Sequence, residues 1–471
     1  MIEDGLIAVF DMGKTHSKLS LWNKAGEEIK RFTHPNKSKM TPDYPSLPVD
    51  QIGQWLTSAL SAAKRYGKIS AIIPVAHGAA AILVKDGKIA CAPIDYEATP
   101  PINIVETYNL ARGSFAETGS PKLADSLNLG IQLHWLEKLH PDLFSGDLQI
   151  LTLAQYWSWF LSGTASAELT SLGCHTDLWS PSTQRPSSLM QKRGWAGHLP
   201  PLRKADEVVG CVTSALADRT GLSRDTQIYC GIHDSNAALQ AARSLAPLKR
   251  TEFSVLSTGT WFVAMRSPMA GFRAADSPLD QSRDCLLNVD IYGTVIPSAR
   301  FMGGKEVELA LDRYRLDNPD LQVDIVNAIS EVIASGSMLL PTLTSGTGPF
   351  PKSKGRWCNQ PVQAEQRAAA VALYLALVAD AMLNLLSSRH IILVEGRFSR
   401  IDAFVRALAT LRPGDKIMVA QTGTDVAFGA LTLVLPELKA DVKLRAIEAF
   451  GTGLDGYKRE WSARITDKFL Q

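Results

Sequence analysis

No cysteine pair in this chain has the spacing of a metal or redox site. The six cysteines, at 91, 174, 211, 230, 285 and 358, include no C-x-x-C and are scattered. That excludes a zinc site and a disulfide framework, and leaves buried free thiols in a reducing compartment as the expected state. An excess of one charge is missing as well. The 49 Lys and Arg residues stand against 47 Asp and Glu, a formal net charge of +2. This balance excludes nucleic acid or a membrane surface as a partner drawn by bulk electrostatics. No uninterrupted apolar run reaches the roughly 18 residues a bilayer span needs. The acids Glu3 and Asp4 before the first apolar run are unlike a signal peptide. No basic helix-turn-helix pattern precedes that run, which argues against a DNA-binding regulator. A cytoplasmic protein is the expectation.

What is present is an ordinary globular composition, 45% hydrophobic and 20% charged over 471 residues, long enough for two domains or more. Residues 7 to 22 organise it. Ile7 to Phe10 is an apolar run suited to a buried strand, and Lys18 to Trp22 alternates as a half-buried strand does. Between them lie Asp11, Gly13, Lys14, Thr15 and Ser17. Gly13 lets backbone N–H groups approach a ligand, and Lys14, Thr15 and Lys18 offer donors to phosphate oxygens. Asp11, at the strand end, is placed to hold a hydrated divalent cation. A plain Asp-x-Gly turn is the competing reading. Gly13-Lys14-Thr15 is not a P-loop, because position 8 is Ala and a strand pattern, not a helix, follows.

A helix is predicted over Val49 to Tyr66 and a strand over Lys68 to Pro74, running into His77-Gly78. His77, Asp95 and Glu97 lie near strand ends, where α/β sheets bind ligands. They suit a polyhydroxylated ligand, against the alternative of a satisfied histidine and a solvated acidic loop. Leu151 to Leu161 reads as an aromatic helix whose Tyr156, Trp157, Trp159 and Phe160 belong to the core sooner than to a sugar-stacking face. Ile228 to Ala238 runs from a short strand through Gly231-Ile232-His233-Asp234 into a helix, where Asp234 is either a cap or an accessible carboxylate. The strand–glycine turn–strand design then returns, with Ser257-Thr258-Gly259-Thr260 as its turn. The echo suggests two related halves, each giving a phosphate loop to a shared cleft. Ala364 to Ser387 reads as a long apolar helix, Ile391 to Glu395 as a strand ending at Gly396, and Gly423 to Ala430 as a helix start whose small residues suit a ligand or tight packing.

Taken in order, seven stretches resemble the motifs of the FGGY carbohydrate kinases, in the actin-like ATPase superfamily. They are Asp11-x-Gly13, His77-Gly78, Gly231-x-His233-Asp234, Ser257 to Trp261, the Pro341 to Pro351 loop, the turn at Gly396, and Gly429-Ala430. His233-Asp234 and Ser-x-Gly-Thr-Trp at 257–261 are similar to the branch holding L-fuculokinase and L-rhamnulokinase. The resemblance implies an α/β fold of two actin-like (ribonuclease H-like) domains. Each would be a mixed five-stranded sheet flanked by helices, with a cleft between them. Residues 1–246 would carry the sugar site and the first phosphate loop, and 247–471 the nucleotide site.

The implied activity is ATP-dependent phosphorylation of a sugar, a ketose such as L-fuculose or L-rhamnulose, by direct in-line transfer with ATP and Mg²⁺. Asp234 would be the general base. His77, Gly78, Asp95, His233 and Asp234 would bind the sugar. Gly13, Lys14, Thr15 and Lys18 would grip phosphate together with Thr258, Gly259 and Thr260. Gly396, Arg397 and Ser399 would lie against the nucleoside, and Asp11 and Asp234 would serve the metal largely through water. The chain departs from the family at Lys14, where a threonine is usual, at Glu395-Gly396-Arg397 in place of three glycines, and at Asp425 where a Glu is common. A polyol or sugar-acid kinase, a non-catalytic sugar- or nucleotide-binding regulator, and a chaperone-type or cytoskeletal ATPase are the alternatives. The expected partner is a small-molecule sugar, with no nucleic acid and no membrane, and a homodimer is left open.

Overall fold

The structure is a computed structural model that describes residues 5–465 apart from 249–250, 270–271, 273–277, 312–315, 421–425, 440–442 and 452. Asp425 therefore lies outside the described residues. The chain falls into two compact units. One comprises 1–246, 287–295 and 424–440, the other 247–286, 296–423 and 441–471, so each is built from more than one stretch of chain.

The first unit is built on β1 (Leu6–Met12), β2 (His16–Trp22) and β3 (Glu28–Pro35), an antiparallel meander. Helix α1 (Val49–Ala63) follows, then β4 (Ile69–Ala76), every residue of which is buried. A continuous apolar strand of that kind belongs in the middle of a sheet covered on both faces. It pairs in parallel with β1, from Leu6 opposite Ile69 to Met12 opposite Ala76. Side chains alternate across the sheet. Ala8 and Phe10 pack with Ile52, Leu56 and Leu60 of α1, whereas Ile7 and Val9 pack on the other face with Ala237 and Ala241.

Helix α2 (Leu153–Ser162) begins later than the aromatic pattern suggests, because Gln149–Thr152 is a strand. Its Trp157 and Tyr156 are core residues, as expected; Trp157 packs edge-on against Phe10 and donates to Met12 Sδ, bracing the end of β1. The sheet is completed by β5 (Val208–Cys211), β6 (Gln227–Tyr229) and β7 (Ile232–His233) in the order β5-β6-β4-β1-β2-β3, with β7 also on β4. Among the described residues the sheet thus has seven strands where five are expected. One reason is Gly231, which separates β6 from β7 along the same neighbour. Its φ is +84°, and a Cβ there would stand 2.5 Å from the Pro74 carbonyl oxygen. Helix α3 (Asp234–Arg243) leaves directly from β7. The small residues of the helix Val426–Val434 serve packing: a Cβ on Gly429 would fall onto the Ala237 carbonyl of α3.

A second sheet repeats this design. β8 (Phe253–Thr258) and β9 (Phe262–Ser267) form an antiparallel pair. β10 (Cys285–Val289) and β11 (Val295–Phe301) extend it, and helix α4 (Gly303–Leu311) follows. After α5 (Ala364–Leu385) come β12 (Ile391–Gly396), α6 (Asp402–Leu411), β13 (Lys416–Ala420) and β14 (Leu444–Ala446). The sheet order is β10-β11-β9-β8-β12-β13-β14, again seven strands, with β12 parallel to both β8 and β13. Helix α5 is long and apolar enough to cross a membrane by length and composition, a property the strict run of apolar residues does not reveal. Most of it, 83% of its most apolar window, is buried inside the protein. All six cysteines are free, but only Cys174, Cys230 and Cys285 are buried.

Candidate active site

The register of the first sheet assembles one row of functional groups. Met12 stands opposite Ala76 on β4, and Ala76 opposite His233 on β7. The next residues along these three parallel strands are Gly13, His77 and Asp234. Carboxyl ends of parallel strands are where open α/β sheets place ligands. The His77 N–H donates to the Met12 carbonyl at 3.4 Å, which ties the row together.

His77 is the most telling member. Its Nε2 is buried without a hydrogen-bond partner among the described residues. An unsatisfied buried ring nitrogen is costly, so it points to a ligand group. Burial pushes the His77 pKa down to about 4, with Asp234 and Asp95 pulling it up and Lys14 and His233 pushing it further down. The ring is therefore neutral at pH 7. Its edge-to-face partner is Tyr96, 5.4 Å away between centroids. Gly78 keeps the space beside it open, since a Cβ would stand 2.5 Å from Cys174 Sγ and 3.0 Å from His233 Nε2.

The low pKa has a consequence for stability. Below pH 6.5 the unfolded chain protonates this histidine while the fold refuses the proton until about pH 4. Stability should therefore fall as pH drops through that window, by about 3 kcal/mol for this group. His77→Gln should flatten the acid limb of a plot of Tm against pH. His233 and His134 are shifted in the same direction, so part of the slope will remain. An unchanged slope would remove His77 as a contributor.

Asp234 begins α3 with its carboxylate partly in solvent. Oδ1 accepts the Ser235 N–H at 2.6 Å and the Ser235 hydroxyl at 3.2 Å, and lies 3.2 Å from His233 Nε2. His233 is fixed from behind, its N–H donating to Thr170 Oγ1 at 3.1 Å. Thr170 in turn donates to the buried Glu168 at 2.7 Å, whose pKa burial raises to about 7 against the hydrogen bonds it accepts. Thr170 is marked in the sequence only by an acid immediately ahead of Leu-Thr-Ser, a capping pattern for the short helix Leu169–Leu172.

The β1–β2 turn carries Gly13, Lys14 and Thr15, and Asp11, near the end of β1, stands opposite Lys18 on β2 with 3.7 Å between Oδ2 and Nζ. Thr15 is exposed, its hydroxyl 3.1 Å from His16 Nδ1. Lys14 turns instead to Asp95, to which it is hydrogen-bonded, and lies 3.1 Å from Glu97 Oε2. Burial pushes the Asp95 carboxyl up, but the hydrogen bonds from Lys14, Ser38 and the Glu97 N–H outweigh it and hold the group below the usual carboxylate range.

In the second unit the turn at 258–261 closes through the Gly259 N–H to the Trp261 carbonyl at 3.0 Å. The Thr258 hydroxyl is committed to structure. It donates to the Glu395 carbonyl at 2.5 Å and accepts the Phe398 N–H at 3.1 Å, while Thr260 is exposed. The start of α4 backs this turn, with the Gly304 N–H 3.2 Å from the Thr260 carbonyl. Gly396 pairs with Thr258 across β8 and β12. Arg397 grips Asp317 with two nitrogens, at 2.8 and 3.3 Å, and the Ser399 hydroxyl donates to the Gly396 carbonyl at 2.8 Å. Arg397 is thereby drawn to a carboxylate and not left across the glycine turn.

Residues 6–240 match the model for the N-terminal domain of the FGGY family of carbohydrate kinases, and residues 250–442 that for the carbohydrate kinase FGGY C-terminal domain. The chain is similar to a carbohydrate kinase from Novosphingobium aromaticivorans, with 44% identity, a TM-score of 0.91, and coverage of 97% of this chain and 100% of that one. A xylulose kinase from Rhodospirillum rubrum shares the fold at 16% identity, with a TM-score of 0.77 over 98% of both chains. An L-fuculokinase from Haemophilus influenzae is 32% identical over 146 residues, 30% of this chain and 29% of that protein's length.

Proposed function

This chain belongs to the FGGY family of carbohydrate kinases, and from that premise we propose that it transfers the γ-phosphoryl group of ATP to a hydroxyl of a neutral sugar, a ketose such as L-fuculose or L-rhamnulose. The observation that carries this reading is the row Gly13, His77, Asp234 at three adjacent strand ends, with a buried unpartnered His77 Nε2 beside a partly exposed carboxylate.

A sugar hydroxyl is a weak nucleophile at neutral pH, and a positioned carboxylate that accepts its proton during attack lowers the barrier. Asp234 takes that role. The contacts described above fall on Oδ1 and fix the carboxylate's direction, so Oδ2 is the oxygen assigned to the acceptor. His77, neutral, donates or accepts a hydrogen bond with a sugar hydroxyl, and Asp95 and His233 complete the sugar contacts. Gly13, Thr15 and Lys18 are assigned to phosphate. Gly259 and Thr260 are likewise assigned to phosphate, and Gly396, Arg397 and Ser399 to the nucleoside. Among the described residues no group of three or more His, Cys, Asp or Glu could hold a metal ion by itself. Asp11, a single acid at a strand end, would serve Mg²⁺ brought in with the nucleotide only through water. When bound, that ion neutralises phosphate charge.

The charges around the sugar side favour a neutral acceptor over a sugar acid. Asp95, Glu97 and Asp234 outnumber Lys14, which already faces two of these carboxylates. A further carboxylate would meet repulsion. The likeness to L-fuculokinase and the His233-Asp234 pair support a deoxyketose. ADP release from ATP and Mg²⁺ across ketoses, polyols and sugar acids tests this, with strong stimulation by a neutral ketose expected. Stimulation by a sugar acid alone would overturn the acceptor assignment. ATP binding with no stimulation by any acceptor would favour a regulator.

A further inference from the structure

Lys14 occupies the middle of the phosphate-side turn, yet its side chain is directed to residues 95–97. The ammonium is hydrogen-bonded to Asp95, lies 3.1 Å from Glu97 Oε2, and sits 4.5 Å from the centroid of the Tyr96 ring. Three consecutive residues thus receive one cation through two carboxylates and an aromatic face. Asp95 is almost wholly buried, with 1% of its side chain exposed. Its other oxygen accepts the Ser38 hydroxyl, and the Glu97 N–H donates to the same oxygen as Lys14 at 3.0 Å. Drawing Lys14 away to a phosphate would leave a buried carboxylate without its counter-charge, which is strongly unfavourable. Lys18 offers the contrast: its side chain is 42% exposed and its nearest carboxylate contact is 3.7 Å long, so it can reach an anion at little cost.

We propose that Lys14 is a positioning residue of the sugar site and not a phosphate ligand: it holds Asp95 and Tyr96 in place, and Tyr96 in turn packs on the ring of His77. This rests on the reading of the first unit as a sugar site. The turn that faces phosphate and the loop that faces sugar are then one mechanical piece. Identity at position 14 would set acceptor affinity, a task the residue's place in the chain does not suggest.

The test is steady-state kinetics of Lys14→Met, with the best acceptor from the panel varied against ATP and the reverse. Sugar KM should rise by about tenfold or more, the scale of a lost hydrogen bond to a charged group. ATP KM should stay within about twofold, well under the tenfold that 1.4 kcal/mol represents. Asp95→Asn should reproduce the sugar effect, and the double variant should be no worse than the poorer single one, as expected for partners in one interaction. Lys14→Arg should recover part of the sugar affinity. A raised ATP KM with an unchanged sugar KM would overturn the proposal, as would two unchanged constants or additive losses in the double variant. Should the wild-type chain phosphorylate no sugar, the sugar-site reading itself fails. Calorimetric affinity for a non-hydrolysable ATP analogue then still decides whether Lys14 touches phosphate. A large loss in Lys14→Met overturns the assignment and an unchanged affinity upholds its phosphate half.

Discussion

Asp234→Ala should turn over at no more than about one hundredth of the wild-type rate, the lower end of what a general base contributes. The effect should fall on kcat. Removing the carboxylate leaves the sugar without its proton acceptor but leaves His77, Asp95 and His233 in place. Loss of fold is not the expected cause. Asp234 sits in the first turn of α3 with its side chain 32% exposed. Losing a carboxylate there costs only about 0.3–1 kcal/mol through the helix dipole. Asp234→Asn makes the experiment sharper, because an amide oxygen can still accept from the Ser235 N–H while the group is no longer basic. Both variants should keep a near-native Tm and bind ATP normally. Turnover near the wild-type rate in Asp234→Asn would show that the proton leaves by another route and would take Asp234 out of the chemistry.

The place of Asp234 at a strand end is legible in the sequence and the partner of Lys14 is not, which follows from where the information lies. β1, β4 and β12 are legible as largely apolar runs because most of their residues are buried. The turns that follow them are legible because glycine and hydroxyl residues interrupt those runs. Asp11, Gly13, His77, Asp234 and Gly396 all sit at such interruptions, and the sheet register then brings three of these strand ends together. The partner of Lys14 is 81 positions away, on a loop with no period, so a turn motif suggests only the local use of the side chain. Thr258 is similar. A hydroxyl in a glycine turn reads as a phosphate donor, and only the register of β8 with β12 shows it tied to the Glu395–Phe398 turn. Residues 181 to 206 resist reading because their elements are one-turn helices and two-residue strands, too short for any periodicity. The small residues near Gly429 are ambiguous for a different reason. Close backbone approach has the same sequence signature whether a ligand or the carbonyl of Ala237 arrives.

Gly396→Ala should be the most damaging single-methyl change on the nucleotide side. Gly396 has φ +85° and ψ −165°, a region that is essentially closed to residues with a Cβ and costs them about 1–3 kcal/mol. Space compounds the problem, because the added Cβ would fall onto the Thr258 carbonyl oxygen, and the facing strands β8 and β12 would have to part. Such overpacking adds about 1–3 kcal/mol in a well-packed site. The contacts that would break first are those of the Thr258 hydroxyl with the Glu395 carbonyl and the Phe398 N–H, which set the shape of the turn assigned to the nucleoside. The expected result is a lowered Tm together with an ADP affinity reduced by about tenfold or more, since each 1.4 kcal/mol lost at the site is one such factor. Gly414→Ala is the control. A Cβ there meets nothing within 4 Å, so its Tm should move little. If Gly396→Ala unfolded and bound ADP like the control, β12 would not need glycine at its end, and the turn would have to be held by something other than the close approach of these two strands.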